Sequence, residues 1–367
     1  MSLRGSLLRA LEGEESAPLW ARAASASLAP AGWAYGGAMH LRRRLYASGW
    51  REAVSPPCPV ISVGNLTLGG TGKTPAVAWV LSKLIEADRR PAVVSRGYGG
   101  EAEGVSVVSD GAGAVLSAPP ASDEAVMLAR MFPSVPAVAG RDRPAAVRCA
   151  AELGADVIVA DDGFQHIALE RALDLVVLRG ERPFGNGRVF PAGALREPAA
   201  ALRSAGAVLL TGGESSPTVS ERIREQIGAL APRAKVFEGS LRPVALLDIS
   251  GRPAGSPADL SGAAVAAVSG IGNPAGFART LEGLGARVLA HHIFPDHAAY
   301  GAGEAVRIAS SLDASGVDFW VTTEKDAVKL GRFSDHPHFR VLRVEMEVRE
   351  GAGLARLVLD AAGQGGS

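Results

Sequence analysis

"SVGNLTLGGTGKTPAVAWV", Ser62 to Val80, is the stretch on which the fold turns. It opens on the end of "PVISV", a β-branched run suited to a buried strand, and closes in "AVAWVLSKLIEA", where apolar residues recur at helical spacing. A glycine-rich turn between strand and helix is where backbone N–H groups can cradle a phosphate. The usual pattern is G-x-x-x-x-G-K-[ST], and Thr67 stands here at its first position, with Pro75 after the Lys-Thr pair. Thr67, Leu68, Gly69, Gly70, Thr71, Gly72, Lys73 and Thr74 are therefore expected to bind nucleotide. Lys73 can reach the terminal phosphates, and the Thr74 hydroxyl can ligate Mg²⁺. Pro75 falls in the first helical turn, where a missing N–H costs little. The alternative is an ordinary turn that happens to contain a lysine.

Working outward, apolar runs alternate with helical stretches: "PAVVSRG", "VPAVAG", "DVIVADD", "LDLVVLRG" and "GAVLLTG". This alternation predicts an α/β fold of the P-loop NTPase type, a mostly parallel sheet with helices on both faces and ligands at the carboxyl ends of the strands. From about Ser215 to Leu260 turn-forming residues break the pattern, and a second, smaller α/β series follows. The expected division is an amino-terminal segment over residues 1–50, a nucleotide-binding domain over 51–238, and a smaller domain over 239–367 that closes over the cleft.

The chain has 367 residues, with lysine plus arginine and aspartate plus glutamate at 38 each, so overall charge offers nothing to nucleic acid. Cys58 and Cys149 make no disulfide framework and no metal spacing, which suits a reducing compartment. The first fifty residues hold Trp20, Trp33, Trp50, Tyr35 and Tyr46 beside Arg42-Arg43-Arg44, a pattern that suits a membrane surface. Ala23 to Met39 is uncharged but too weakly apolar for a span. A signal peptide would carry the nucleotide site away from its nucleotide. A helix packed with its aromatics in the core is the alternative.

Chemistry-bearing residues recur at strand ends. "DVIVADDGFQH" closes a buried strand in Asp161 and Asp162, the carboxylates a P-loop enzyme needs near Mg²⁺; adjacent strand residues face opposite ways, so one ligates directly. "SRGYGG" puts Arg96 after a strand, near phosphate or on a plain turn, and "RPFGNGRVFPAGALREP" carries Arg182, Arg188, Arg196 and Glu197 on a rigid loop, which an anionic ligand would explain and solvated loop charges explain nearly as well. "SDEAVMLARMF" reads as a helix start, with Asp123 either catalytic or merely favourable to the helix dipole. "HHIFPDH" places His297 where it could orient a catalytic carboxylate. In "TTEKDAVKL", Lys325 and Asp326 are adjacent, so the guanine-reading N/T-K-x-D spacing fails.

Taken together, "GNLTLGGTGKTP", "SRGYGG", "DDGFQH", "RPFGNGRVFPAGALREP", "GIGNP", "FPDH" and "TEKDAVK", in this order through nearly the whole chain, resemble the tetraacyldisaccharide 4'-kinases of lipid A synthesis. The resemblance accounts for Thr67 and Pro75, which that family's loop shares. It implies phosphoryl transfer from ATP, with Mg²⁺, to the 4'-hydroxyl of an acylated glucosamine disaccharide 1-phosphate at the cytosolic face of the bacterial inner membrane. No feature points to a protein partner. By the same resemblance Lys73 and Thr74 hold phosphates and Mg²⁺, Asp161 and Asp162 serve the metal, Asp123 is the base with His297 as its partner, and Arg196 and Glu197 stand near the reacting phosphates. The chain departs from the family's motifs at Ser122 and Ala125 around the base, at Ala194, and at Ala298. Two other classes remain: a GTPase-like switch or metallochaperone, separable by ATP against GTP binding, and a membrane-associated nucleotide-binding protein without transferase activity.

Overall fold

The strand β1 (Val60–Gly64) is buried from end to end, with Val60, Ile61, Ser62 and Val63 all fully inaccessible. A strand covered on both faces has no need of alternation, and "VISVG" shows none. The computed structural model describes residues 3–97, 104–113, 122–212, 217–296, 298, 300, 316–333 and 336–363. The chain divides into two units. The first comprises Met1–Arg96, Gly140–Ser240 and Met346–Ser367, the second Gly97–Ala139 and Leu241–Glu345.

In the first unit β1 lies between β5 (Val157–Asp161) and β6 (Leu173–Arg179), parallel to both, with Ile61 opposite Val159 on one side and Leu173 on the other. Beyond β5 lies β2 (Pro91–Ser95), beyond β6 lies β7 (Ala207–Thr211), and next to it the start of β8 (Lys235–Leu247), all in parallel. Parallel neighbours need crossovers, and the helices supply them. Helix α4 (Lys73–Glu86) packs against β1, β2, β5 and the carboxyl-terminal helix Gly351–Gly363, and α6 (Arg143–Glu152) packs on β2 and β5. One apolar cluster, with Leu66, Phe164, Val176, Leu178 and Leu202 at its centre, packs among the strands and the turns at their ends.

Three helices precede this sheet: α1 (Leu3–Leu11), α2 (Leu19–Ser27) and α3 (Ala29–Ala47). Their aromatic residues do not fill a core. Trp20, Trp33 and Tyr35 are 46%, 75% and 41% exposed. Among the described residues no helix is long and apolar enough to cross a membrane.

The second unit contains β3 (Val105–Ser109), α5 (Asp123–Met131) and the greater part of β4 (Ala137–Gly140). It also contains a parallel run in which β10 (Ala264–Ser269) lies between β11 (Arg287–Ile293) and β12 (Phe319–Thr323), and β12 pairs with the start of β13 (Phe339–Arg349). Among the described residues the end of β8 pairs antiparallel with β9 (Pro253–Gly255). Trp320, Phe339, Phe333, Phe294 and Tyr300 make its aromatic core. The mostly parallel α/β architecture expected from the alternation of runs is the one observed.

Candidate nucleotide site

The loop after β1 is shaped by close approach. A Cβ on Gly64 would lie 2.5 Å from that of Phe164, so only glycine lets the Asp162–Phe164 turn close over the strand end. At the other end Gly72 takes a left-handed φ of 81° and caps α4, whose first two residues are Lys73 and Thr74. Pro75 comes third, where no intrahelical N–H bond is lost.

Between these points the loop is suspended by buried bonds. Asn65 is fully buried and donates from Nδ2 to the Thr67 carbonyl at 2.8 Å and to Thr71 Oγ1 at 3.3 Å. The Leu68 N–H donates to the Ala194 carbonyl at 2.7 Å, the Arg196 N–H to the Leu66 carbonyl at 2.8 Å, and Thr211 Oγ1 to the Thr71 carbonyl at 2.7 Å. The "AGALREP" segment therefore backs the glycine loop directly.

Charges converge at its helix end. Lys73 Nζ donates to Asp162 Oδ1 at 2.6 Å and to Asn65 Oδ1 at 3.3 Å, while Arg196 Nη1 donates to both Asp162 oxygens at 2.9 and 2.8 Å. Asp162 follows β5 in the left-handed region, φ 54°, which aspartate tolerates better than most residues. Burial alone would raise its carboxyl, but the charges of Lys73 and Arg196 and their hydrogen bonds outweigh it and hold the group far below the usual carboxylate range. Asp161, the last residue of β5, is 4% exposed, and its carbonyl accepts a 2.9 Å bond from Arg143 Nη2.

Arg143 was not singled out from the sequence. It is 2% exposed, and burial pushes its pKa down to about 10 against the opposing charges of Asp161 and Asp162. A signal was present: an arginine in the first turn of α6 opposes the helix dipole, so something other than helix stability keeps it there. His166, at the end of "DDGFQH", is pushed down to about 4, first by burial and then by the charge of Arg143.

Arg196 and Glu197 part company. Arg196 goes to Asp162, whereas Glu197, 2% exposed, is ion-paired to Arg43 of α3. Arg42 turns inward too, donating from Nη1 to the Gln165 carbonyl at 3.0 Å. Two of the three arginines read as interfacial are thus engaged with the protein, and only Arg44 remains exposed.

In the second unit Asp123 is the first residue of α5, behind an N-cap in which Ser122 Oγ accepts from the Ala125 N–H. Its Oδ2 accepts a 2.8 Å bond from Lys329 Nζ, with both side chains largely covered. Lys325 pairs with Glu124 and Asp296, and "GIGNP" caps α8 (Pro274–Gly283) through Asn273. His297 lies outside the described residues. Lys73, Asp162 and Arg196 are thus brought together, Thr74 and Asp161 adjoin them in the chain, and Asp123 stands in the other unit.

The family model described as tetraacyldisaccharide-1-P 4'-kinase matches residues 24–362. The tetraacyldisaccharide 4'-kinase of Anaeromyxobacter sp. (strain K) is 46% identical over 327 residues, 88% of this chain and 86% of that protein. That of Syntrophus aciditrophicus (strain SB) is 40% identical over 330 residues, 87% of this chain and 88% of that protein. A crystal structure of LpxK from Aquifex aeolicus in complex with ATP superposes with a TM-score of 0.73 at 29% identity, covering 92% of this chain and 99% of that one. The likeness runs through both units, and the chain belongs to the tetraacyldisaccharide 4'-kinase family.

Proposed function

We propose that this chain, an ATP-dependent 4'-kinase of lipid A biosynthesis by its family, moves the γ-phosphoryl group of ATP onto the 4'-hydroxyl of a tetraacyldisaccharide 1-phosphate with the residues gathered at the glycine loop. The observation that carries this reading is the convergence of Lys73 and Arg196 on Asp162 at the amino terminus of α4. Such a place accepts phosphate through backbone N–H groups and helix dipole, and two mobile cations stand ready to leave a carboxylate for it.

In the transfer, the 4'-oxygen forms a bond to the γ-phosphorus as the bond to the bridging oxygen breaks, and that electron pair leaves with ADP. Lys73 and Arg196 meet the charge on the transferring group. The hydroxyl proton goes to the carboxylate of Asp123, with His297 as its partner. Phosphate is held by the first unit and the proton accepted by a residue of the second, so closure of the smaller domain is a condition of turnover. Asp161, Asp162 and the Thr74 hydroxyl are hard oxygen donors of the kind Mg²⁺ prefers, and Asp162 already draws two cations, so the residues fit that ion. Mg²⁺ bound there would neutralise charge on the β- and γ-phosphates.

The amino-terminal helices serve delivery to the cytosolic face of the inner membrane. Leu3, Leu19, Trp33, Leu41 and Trp50 are 74%, 80%, 75%, 58% and 84% exposed, an apolar surface that suits a headgroup boundary. Trp33→Ser should weaken sedimentation with anionic vesicles and leave ATP binding intact; unchanged sedimentation makes the surface irrelevant to membranes. For the reaction itself, γ-radiolabelled ATP incubated with tetraacyldisaccharide 1-phosphate in mixed micelles should give a lipid labelled at the 4'-position. A folded, ATP-binding protein that transfers no label contradicts the proposal and favours a nucleotide-binding role without catalysis.

A further inference from the structure

Arg43 sits on the helix with the most exposed aromatics, yet its own side chain is 17% exposed and its bonds lead to the rest of the protein. Nε pairs with Glu197 Oε2, Nη1 donates to Ser204 Oγ at 3.0 Å, and Nη2 donates to the Phe164 carbonyl at 3.2 Å. The guanidinium also lies 4.6 Å from the centre of the Phe164 ring. Both elements it grips are elements of the nucleotide site. Glu197 follows Arg196 directly, and Phe164 follows the Asp162–Gly163 turn and packs on Gly64. Arg42, one residue earlier, holds the Gln165 carbonyl, and Gln165 Nε2 in turn donates to the Asn65 carbonyl at 2.9 Å.

The remaining oxygen of Glu197, Oε1, has no hydrogen-bond partner among the described residues. Its charge is therefore compensated by Arg43, and loss of that cation leaves a buried carboxylate that must take up a proton or move. Either response displaces the peptide that carries Arg196. We infer that Arg43 is a positioning residue for phosphoryl transfer: it fixes Glu197 and the Phe164 turn so that Arg196 and Asp162 meet in the geometry that receives the phosphate. The inference rests on the role proposed above for Arg196. Lysine could not replace Arg43, because one ammonium cannot serve three acceptors on diverging elements.

The test measures kcat, KM for ATP, melting temperature and vesicle binding for Arg43→Met, Arg43→Lys, Arg196→Met and the Arg43→Met/Arg196→Met double variant. Arg43→Met should lower kcat by about 10- to 100-fold, the usual effect of removing the group that orients an active side chain, with a smaller change in KM and vesicle binding retained. Arg43→Lys should recover only part of the loss, and the double variant should be little worse than Arg196→Met alone. If Arg43→Met does not fold, Glu197→Gln, which keeps the shape and removes the charge, should show the same non-additivity with Arg196→Met. Near-normal kcat in Arg43→Met or, in that case, in Glu197→Gln overturns the inference, as do fully multiplicative losses. A loss of activity that tracks lost vesicle binding overturns it too. Near-normal kcat in Arg196→Met would instead overturn the role of Arg196 itself, and with it the route by which Arg43 is said to act.

Discussion

Asp162 and Asp326 stand in similar places, each just past the end of a parallel strand in a short polar motif, and they are held in different ways. Asp162 is 27% exposed and bonded to two cations, Lys73 and Arg196, both on long side chains. Asp326, in the short helix Glu324–Ala327, is fully buried and accepts from three neutral donors: the Gly270 N–H at 3.0 Å, Thr323 Oγ1 at 2.7 Å and the Tyr300 hydroxyl at 2.8 Å. Burial first, and Asp326 beside it second, push the Tyr300 phenol far above its ordinary value, so that donor keeps its proton. Neutral donors fixed by backbone and core have nowhere else to go, and Asp326 ties the ends of β10 and β12 together. Cations on flexible stems can change partners when a phosphate arrives. A partly exposed cation on a long stem, against donors fixed in the core, is what separates this site from this staple.

The largest effect expected from this contrast is at Lys73. A cation on the transferring phosphoryl group is worth about 10³ to 10⁵ in rate, so Lys73→Ala should bring kcat down by that order without loss of fold. Turnover assays alongside circular dichroism check it. In the second unit Asp123 also has a charged partner, Lys329, and its proposed role as the base carries a prediction of its own. Asp123→Asn should lower kcat by about 10² to 10⁴, the range for a positioned base, with ATP affinity little changed in a binding titration. A mild phenotype there would return Asp123 to the ordinary helix-start role that its N-capped position also suits.

Much of this was legible in the chain. The parallel sheet followed from mostly apolar runs such as "VISV" and "DVIVA", because burial on both faces removes alternation. The loop residues Thr67 to Thr74 were legible because turn glycines and a lysine between strand and helix have few other uses. Arg43 was read only as part of a basic run that suits a membrane surface: its partner Glu197 is 154 residues away in the chain, and local composition carries no record of such a contact. The membership of Gly97–Ala139 in the second unit is likewise a long-range fact, since its strand and helix look like those on either side. Asp326 showed only that it could not read guanine. That it is a buried acceptor depends on Tyr300 and Gly270, which no spacing rule connects.

A smaller effect is expected in the response to pH, where burial lowers the pKa of both His166 of the first unit and His291 of the second. His166, beside the nucleotide loop, has its folded-state value pushed down to about 4 from an unfolded 6.5. Between those values the unfolded chain binds more protons, so stability should rise with pH through that window and level off on either side. His166→Gln should flatten this rise in denaturant titrations run at about pH 4.5 and about pH 7, where wild type and variant are compared under the same conditions. An unchanged slope in the variant would show that another group is responsible.

The account stands most directly on a paired measurement: melting temperature and kcat for Asp162→Asn and Asp326→Asn in the same buffer. Asp162→Asn should lose turnover by about 10²-fold or more and lose less stability than Asp326→Asn, because Lys73 and Arg196 are only partly covered and their long side chains can turn to water. Asp326→Asn should lose stability, by about 2 kcal/mol or more, because an amide forces at least one N–H donor against donors already aimed at that buried site. The opposite pattern, an inactive but fully stable Asp326→Asn beside an active but unstable Asp162→Asn, would contradict the assignment of site and staple.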